Sequence, residues 1–231
     1  PLSPAIFWIY QYQTQITIKN CQFIRISEGK PEADGSILNS DSTTKIVFVE
    51  CFFDNCGIDS DKPLVDFKAA SADKCGSVNF TKCNFYFDDV EKSCQVLRIL
   101  KSDIVFDQCE FTKCEENAIH IDTPSGTSGT INTGDFIFTN NVVKNMKYRF
   151  INGTKINGKI TITGNTFEKC TYNDEYFIYL EHNRMSVELS YNTFSDFTIS
   201  GTNGINTGGI ATFIKSTVSR SSTNYKITYD H

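Results

Sequence analysis

The chain has 231 residues, a net charge of −5 and 21% charged residues, and its 39% apolar residues are led by Phe (19) and Tyr (10) over Trp (1) and Met (2). Lys and Arg scattered along an acidic chain exclude the basic face that nucleic-acid binding needs, and no apolar run approaches the roughly 18 residues of a membrane-spanning helix. A chain of this length needs only one domain, and an aromatic-rich composition favours packed strands.

The chain opens on Pro1, which points to a segment of a longer protein, and residues 6–12 (IFWIYQY) read as an aromatic strand. They lack the basic leader and small-residue cleavage site of a signal peptide. From there one phrase recurs: alternating apolar residues, two spacers, Cys or Asn, one spacer, then Phe. Its copies are ITIKNCQF ending at Phe23, IVFVECFF at Phe53, VNFTKCNF at Phe85, IVFDQCEF at Phe111, FIFTNNVV at Val143, ITITGNTF at Phe167 and VELSYNTF at Phe194, with a last partial copy, KITYDH, at His231. The Cys or Asn position falls at Cys21, Cys51, Cys83, Cys109, Asn141, Asn165 and Asn192, in steps of 30, 32, 26, 32, 24 and 27 residues. Between copies lies a second apolar strand: GSILNS, PLVDFK, QVLRIL, NAIHID, RFINGT, YFIYLE and GIATFIK.

A fixed phrase with a variable period is the signature of a solenoid whose outer loops take the insertions. Residues 1–231 are therefore predicted to form one all-β domain, a right-handed parallel β-helix of about eight coils. The handedness rests on the rule for parallel crossovers. Three inward columns should result. Ile18, Phe48, Phe80, Phe106, Phe138, Ile162, Leu189 and Tyr229 form one, and Ile16, Ile46, Val78, Ile104, Phe136, Ile160, Val187 and Ile227 form the next. The repeat Phe positions from Phe23 to Phe194 form the third.

At the bend after the first strand, Asn141, Asn165 and Asn192 predict an amide ladder, because an inward amide can bond both the turn backbone and its counterpart one coil on. Cys21, Cys51, Cys83 and Cys109 continue it as small buried residues. Cys56, Cys114 and Cys170 recur three residues after the repeat Phe, while Cys75 and Cys94 fall in neither column. Parallel neighbours suit a disulfide torsion poorly, nine is an odd number, and no C-x₂-C pair exists. The expectation is therefore mostly free thiols, without metal or cofactor.

Phe138 to Asn141 spells F-x-x-N, and Phe48 to Cys51, Phe80 to Cys83 and Phe106 to Cys109 spell F-x-x-C. This resembles the repeats of the polymorphic outer-membrane protein family and of related protist surface proteins, which belong with the pectin-lyase-like β-helices. That family's second motif, GGAI, is represented here by Gly208, Gly209 and Ile210 and more distantly by Asn117, Ala118 and Ile119. The resemblance implies surface display and adhesion.

Chemistry is sparse. Neither the H-G nor the R-I-K segment of polygalacturonase-like hydrolases is present. The outward positions of the main strand (Thr17, Val47, Asn79, Val105, Ile137, Thr161, Glu188, Thr228) are nearly uncharged. On the second strand Asp66, Arg98 and His120 fall at matching positions in three consecutive coils, with Tyr179 two coils further on. A solvated salt bridge beside a His is the plain reading; a carboxylate, cation and imidazole in a sugar groove is the sharper one. Gly-rich stretches at 123–134 and 200–209 read as inter-coil loops, since neither ends in the Lys and Ser/Thr of a phosphate cradle. Asn79 and Asn152 head glycosylation sequons.

These features predict a non-catalytic, extracellular or cell-surface β-helix that binds a protein or glycan partner. The alternatives are a scaffold segment of a larger, intracellular assembly, given the odd free thiols and uncapped ends, and a polysaccharide lyase or hydrolase centred on Asp66, Arg98 and His120.

Overall fold

The computed structural model describes residues 6–9, 15–25, 38–40, 45–56, 65–68, 77–87, 97–100, 103–113, 118–121, 134–147, 149–156, 158–172, 176–182, 187–196, 198–199, 209–215 and 227–229. None of these is helical, and among the described residues no helix is long and apolar enough to cross a membrane. All are organised as a parallel β-solenoid.

Three long sheets make its walls. The first holds Phe7–Ile9, Leu38–Ser40, Val65–Lys68, Leu97–Leu100, Ile119–Ile121, Ile151–Ile156, Tyr176–His182 and Gly209–Lys215. The second holds Gln15–Lys19, Lys45–Val49, Ser77–Thr81, Asp103–Asp107, Phe136–Thr139, Ile160–Thr163, Val187–Ser190 and Ile227–Tyr229. The third is built from three-residue strands, Gln22–Ile24, Phe52–Asp54, Asn84–Tyr86, Glu110–Thr112, Val142–Lys144, Thr166–Glu168 and Thr193–Ser195. Each strand pairs in parallel with its equivalent one period away, as the recurrence of the phrase requires.

The predicted columns are registered as the sequence aligns them. Ile16 pairs with Ile46, Ile18 with Phe48, Phe80 with Phe106, and Leu189 with Tyr229. The repeat Phe residues occupy the third sheet, with Phe23 opposite Phe53, Phe85 opposite Phe111, and Phe167 opposite Phe194. Strands about 4.8 Å apart set neighbouring rings at stacking distance. Phe48, Phe80 and Phe106 stack at 4.9 and 4.8 Å, and Phe53, Phe85 and Phe111 at 4.8 and 4.7 Å, all within 10° of coplanar. The two stacks meet edge to face, as in Phe80 against Phe85 at 5.5 Å and 69°. Quadrupole attraction therefore acts both along and across the core.

The Phe column is interrupted at Val143, and the core fills the gap from the opposite wall. Phe150, fully buried, sits edge-on to Phe111 at 5.2 Å and to Phe138 at 5.6 Å, and continues to Phe177 at 5.8 Å.

Between the second and third sheets the chain turns in two residues, one of them left-handed. Asn20, Glu50, Lys82, Gln108, Asn140, Gly164 and Tyr191 all have φ between 53° and 69°. Each directly precedes a ladder residue. Another left-handed residue follows most strands of the third sheet: Arg25, Asn55, Lys113, Asn145, Lys169 and Asp196. Only glycine adopts this conformation freely, so most of these bends carry a local penalty that the surrounding hydrogen bonds offset. At Gly164 the constraint is doubled, because a Cβ would stand 2.7 Å from Asn140 Oδ1.

Candidate functional site

Among the described residues, polar or reactive groups are held in order at the inward ladder of the bend and along the register row on the first sheet.

In the ladder, backbone ladders run straight through the turn. The left-handed residue donates its N–H to the end of the next strand, as Glu50 does to Thr81 O at 2.9 Å, and the residue after the ladder position donates backward, as Phe52 does to Cys21 O at 2.9 Å. The ladder residue's own N–H remains, and the side chain one period on receives it. Asn141 Oδ1 accepts from Cys109 N–H at 2.8 Å, Asn165 Oδ1 from Asn141 N–H at 2.8 Å, and Asn192 Oδ1 from Asn165 N–H at 3.0 Å. Each amide also donates Nδ2 to a strand carbonyl, Asn141 to Phe106 at 3.0 Å, Asn165 to Phe138 at 2.8 Å and Asn192 to Ile162 at 2.9 Å. Buried backbone groups are satisfied in this way without water.

The cysteine half repeats the arrangement with a weaker group. Cys51 Sγ donates to Ile18 O and Cys109 Sγ to Phe80 O, both at 3.4 Å, which are the carbonyl positions the amides serve further along. Thus the thiols do more at the bend than the space-filling expected of them. Cys21, Cys51, Cys56, Cys83, Cys109 and Cys170 are free, and all but the half-buried Cys21 are buried. Hydrogen bonding to the neighbouring thiol of Cys109, followed by burial, pushes the Cys83 thiol up to about 12. Contact with the Cys83 thiol and then burial raise Cys51 further, and burial pushes Cys170 up to about 11. These are poor nucleophiles, which marks the column as structural. Cys75, Cys94, Cys114, Asn117, Gly208 and His231 lie outside the described residues, as do the Gly-rich loops apart from Gly134 and Gly209.

On the first sheet, backbone register brings the predicted second-strand residues into one row. Asp66 pairs with Arg98, Arg98 with His120, His120 with Asn152, and Asn152 with Tyr179. The row continues to Asn39 and Trp8 at one end and to Thr212 at the other. It lies one position from the buried column of Ile119, Ile151 and Ile178. The side chains of Asp66, Arg98 and His120 lie outside the description. At the described end Arg149 places its guanidinium 5.2 Å from the Tyr179 ring centroid and donates from Nη1 to Asn152 Oδ1 at 3.5 Å. A guanidinium held over an aromatic face is a cation–π pair. Sequence reasoning did not single out Arg149, because it precedes the strand and reaches the row across three residues.

The sequon residues Asn79 and Asn152 are both half-exposed, Asn79 in the second sheet and Asn152 in the row. Among the described residues no group of three or more His, Cys, Asp or Glu side chains could hold a metal ion. The chain matches no protein-family model, no curated protein and no solved structure.

Proposed function

We propose that this chain is a non-catalytic binding module, a right-handed β-helix of about eight coils displayed at a cell surface or secreted. Its partner is a protein or glycan held on the flat sheet faces and the loops beside them. The observation that carries the reading is the row Asp66, Arg98, His120, Asn152 and Tyr179, which a rigid sheet sets at strand spacing while the inward chemistry is consumed by core and ladder. The F-x-x-N phrase supports it by its resemblance to the adhesive polymorphic outer-membrane proteins. Glycan and extracellular-protein arrays probed with the full chain test it. Reproducible capture by at least one ligand class is expected, and a blank on both arrays refutes the reading.

A second reading, a polysaccharide lyase or hydrolase, is favoured by the adjacency of Asp66, Arg98 and His120 on three neighbouring strands. Under the binding reading His120→Ala leaves any measured polysaccharide cleavage unchanged, and a large loss of turnover moves the assignment to the enzyme. A scaffold role draws support from Phe7 and Ile24, large apolar residues exposed on the edge strands of the first and third sheets, and from the exposed Ile6 beside Phe7.

A further inference from the structure

The outward side chains of the second sheet carry their charges in an order that a reversed copy of the same sheet would match. Register runs unshifted through its first five strands, from Gln15–Lys19 to Phe136–Thr139, so their outward residues stand in straight rows. In the row at the strand starts, Lys45, Ser77 and Asp103 follow one another on consecutive strands. In the row at the strand ends, Lys19 stands on the first strand and Asp107 on the fourth. Between them runs an uncharged row, Thr17, Val47, Asn79, Val105 and Ile137, exposed at Thr17 and half-exposed at the rest. Lys45 and Asp103 are exposed, and among the described residues neither makes an ion pair; Asp103 Oδ1 accepts the Asp135 N–H at 2.8 Å.

A second copy laid face to face, about a twofold axis along the strand Ser77–Thr81, keeps the strand direction and reverses the strand order. Lys45 of each copy then stands over Asp103 of the other, and Val47 over Val105. Lys19 comes within one strand of the other copy's Asp107. Asn79 meets its own counterpart, which suits an amide that both donates and accepts. An axis on the strand before would set Lys45 against itself, and one on the strand after would set Asp103 against itself, so the charges select one register. We propose that the second sheet is a self-association face and that the chain forms a symmetric dimer, sheet on sheet, centred on Asn79. Five overlapping strands at about 4.8 Å, with about 3.3 Å per residue, give about 400 Å² from each copy. That is half of the roughly 800 Å² per partner of a standard interface, so the dimer is weak, in the micromolar range. Asn79 lies on the axis and must therefore carry no glycan. The face is separate from the first-sheet row, so this dimer and the binding module can fail independently.

The test is sedimentation velocity of the full chain, made without N-glycans, from low to high micromolar concentration. Expected is a monomer–dimer equilibrium that weakens about tenfold in Lys45→Glu and equally in Asp103→Lys, since each substitution sets like charges together twice per dimer. An equimolar mixture of those two variants should recover the parent's affinity, because the two exchanged charges then face each other while the native pair persists across the axis. Lys144→Glu, on the third sheet, should change nothing. Circular dichroism melting checks each variant; if Asp103→Lys is unfolded, Asp103→Asn replaces it and should weaken the dimer a few-fold. A parent that stays monomeric at high micromolar concentration, or that grows into open-ended oligomers, overturns the dimer. Lys45→Glu associating like the parent, or equal loss in Lys144→Glu, overturns the face. A mixture that associates no better than either variant alone overturns the pairing of Lys45 with Asp103.

Discussion

Removing the amide at Asn165 tests the ladder most directly. Its Oδ1 receives the Asn141 N–H at 2.8 Å and the Asn141 Nδ2 at 3.1 Å, while its Nδ2 serves Phe138 O at 2.8 Å and Asn192 Oδ1 at 2.9 Å. Asn165 is 1% exposed, so water cannot take over these roles. Asn165→Ala leaves a buried N–H and a buried C=O without partners, at roughly 1–3 kcal/mol each, for a total of about 4 kcal/mol. Asn165→Cys restores a group that can donate to the Phe138 carbonyl, as Cys109 does to Phe80 O, and should recover about a third to a half of the loss. The assay is equilibrium urea denaturation of both variants and the parent. An alanine variant within about 1 kcal/mol of the parent, or a cysteine variant no better than alanine, refutes the account of how the bend is satisfied.

Further outcomes follow from the core, the bends and the thiols. Phe111→Ala, which removes a ring stacked on Phe85 and edge-on to Phe150, should cost roughly 3–5 kcal/mol; an unchanged melting temperature would remove the Phe column from the account. Lys82→Gly, at a left-handed bend, should stabilise by about 1 kcal/mol in urea titration, whereas Gly164→Ala should destabilise by at least as much. Cys83 and Cys170 should resist alkylation at pH 8 in the native chain and react on unfolding, as mass spectrometry would show. Their folded values lie above the ordinary 9.0, so the folded state holds these protons more tightly than the unfolded one. The contribution of these thiols to stability is therefore level below pH 9 and falls as pH rises towards 12, and Cys170→Ala should flatten part of that alkaline slope.

The columns were legible because in-register parallel stacking writes the same residue class at the same point of every period. Ile46, Val78 and Ile104 are neighbours in space for the reason that makes them neighbours in an alignment of the chain with itself. The third sheet was hidden. Its strands are three residues long, too short for alternation to declare itself, and the predicted single spacer before Phe belongs to a strand of its own. The left-handed bends were illegible because Glu50, Lys82, Gln108 and Tyr191 share no chemistry; at Glu50, Lys82 and Gln108 the conformation is held by the N–H that each donates to the neighbouring strand. Phe150 could not be anticipated either, since nothing local says that it compensates for Val143 on another wall. The row from Asp66 to Tyr179 was readable as far as register carries it, and Arg149 became visible only once the chain was folded.

The change from cysteine to asparagine at Asn141 and the missing ring at Val143 fall within three residues of each other. At the bend, soft sulfur contacts join adjacent windings on the amino-terminal side and amide relays join them beyond it, while the stack of repeat phenyl rings breaks at Val143 and resumes with Phe167 on Phe194 at 4.8 Å. A solenoid in which each layer touches only its neighbours concentrates weakness wherever the kind of joint changes. This boundary is where an unfolding front advancing from either end would pause. Hydrogen exchange should divide the molecule there into two protection classes, and a steadily stretched chain should yield in two steps.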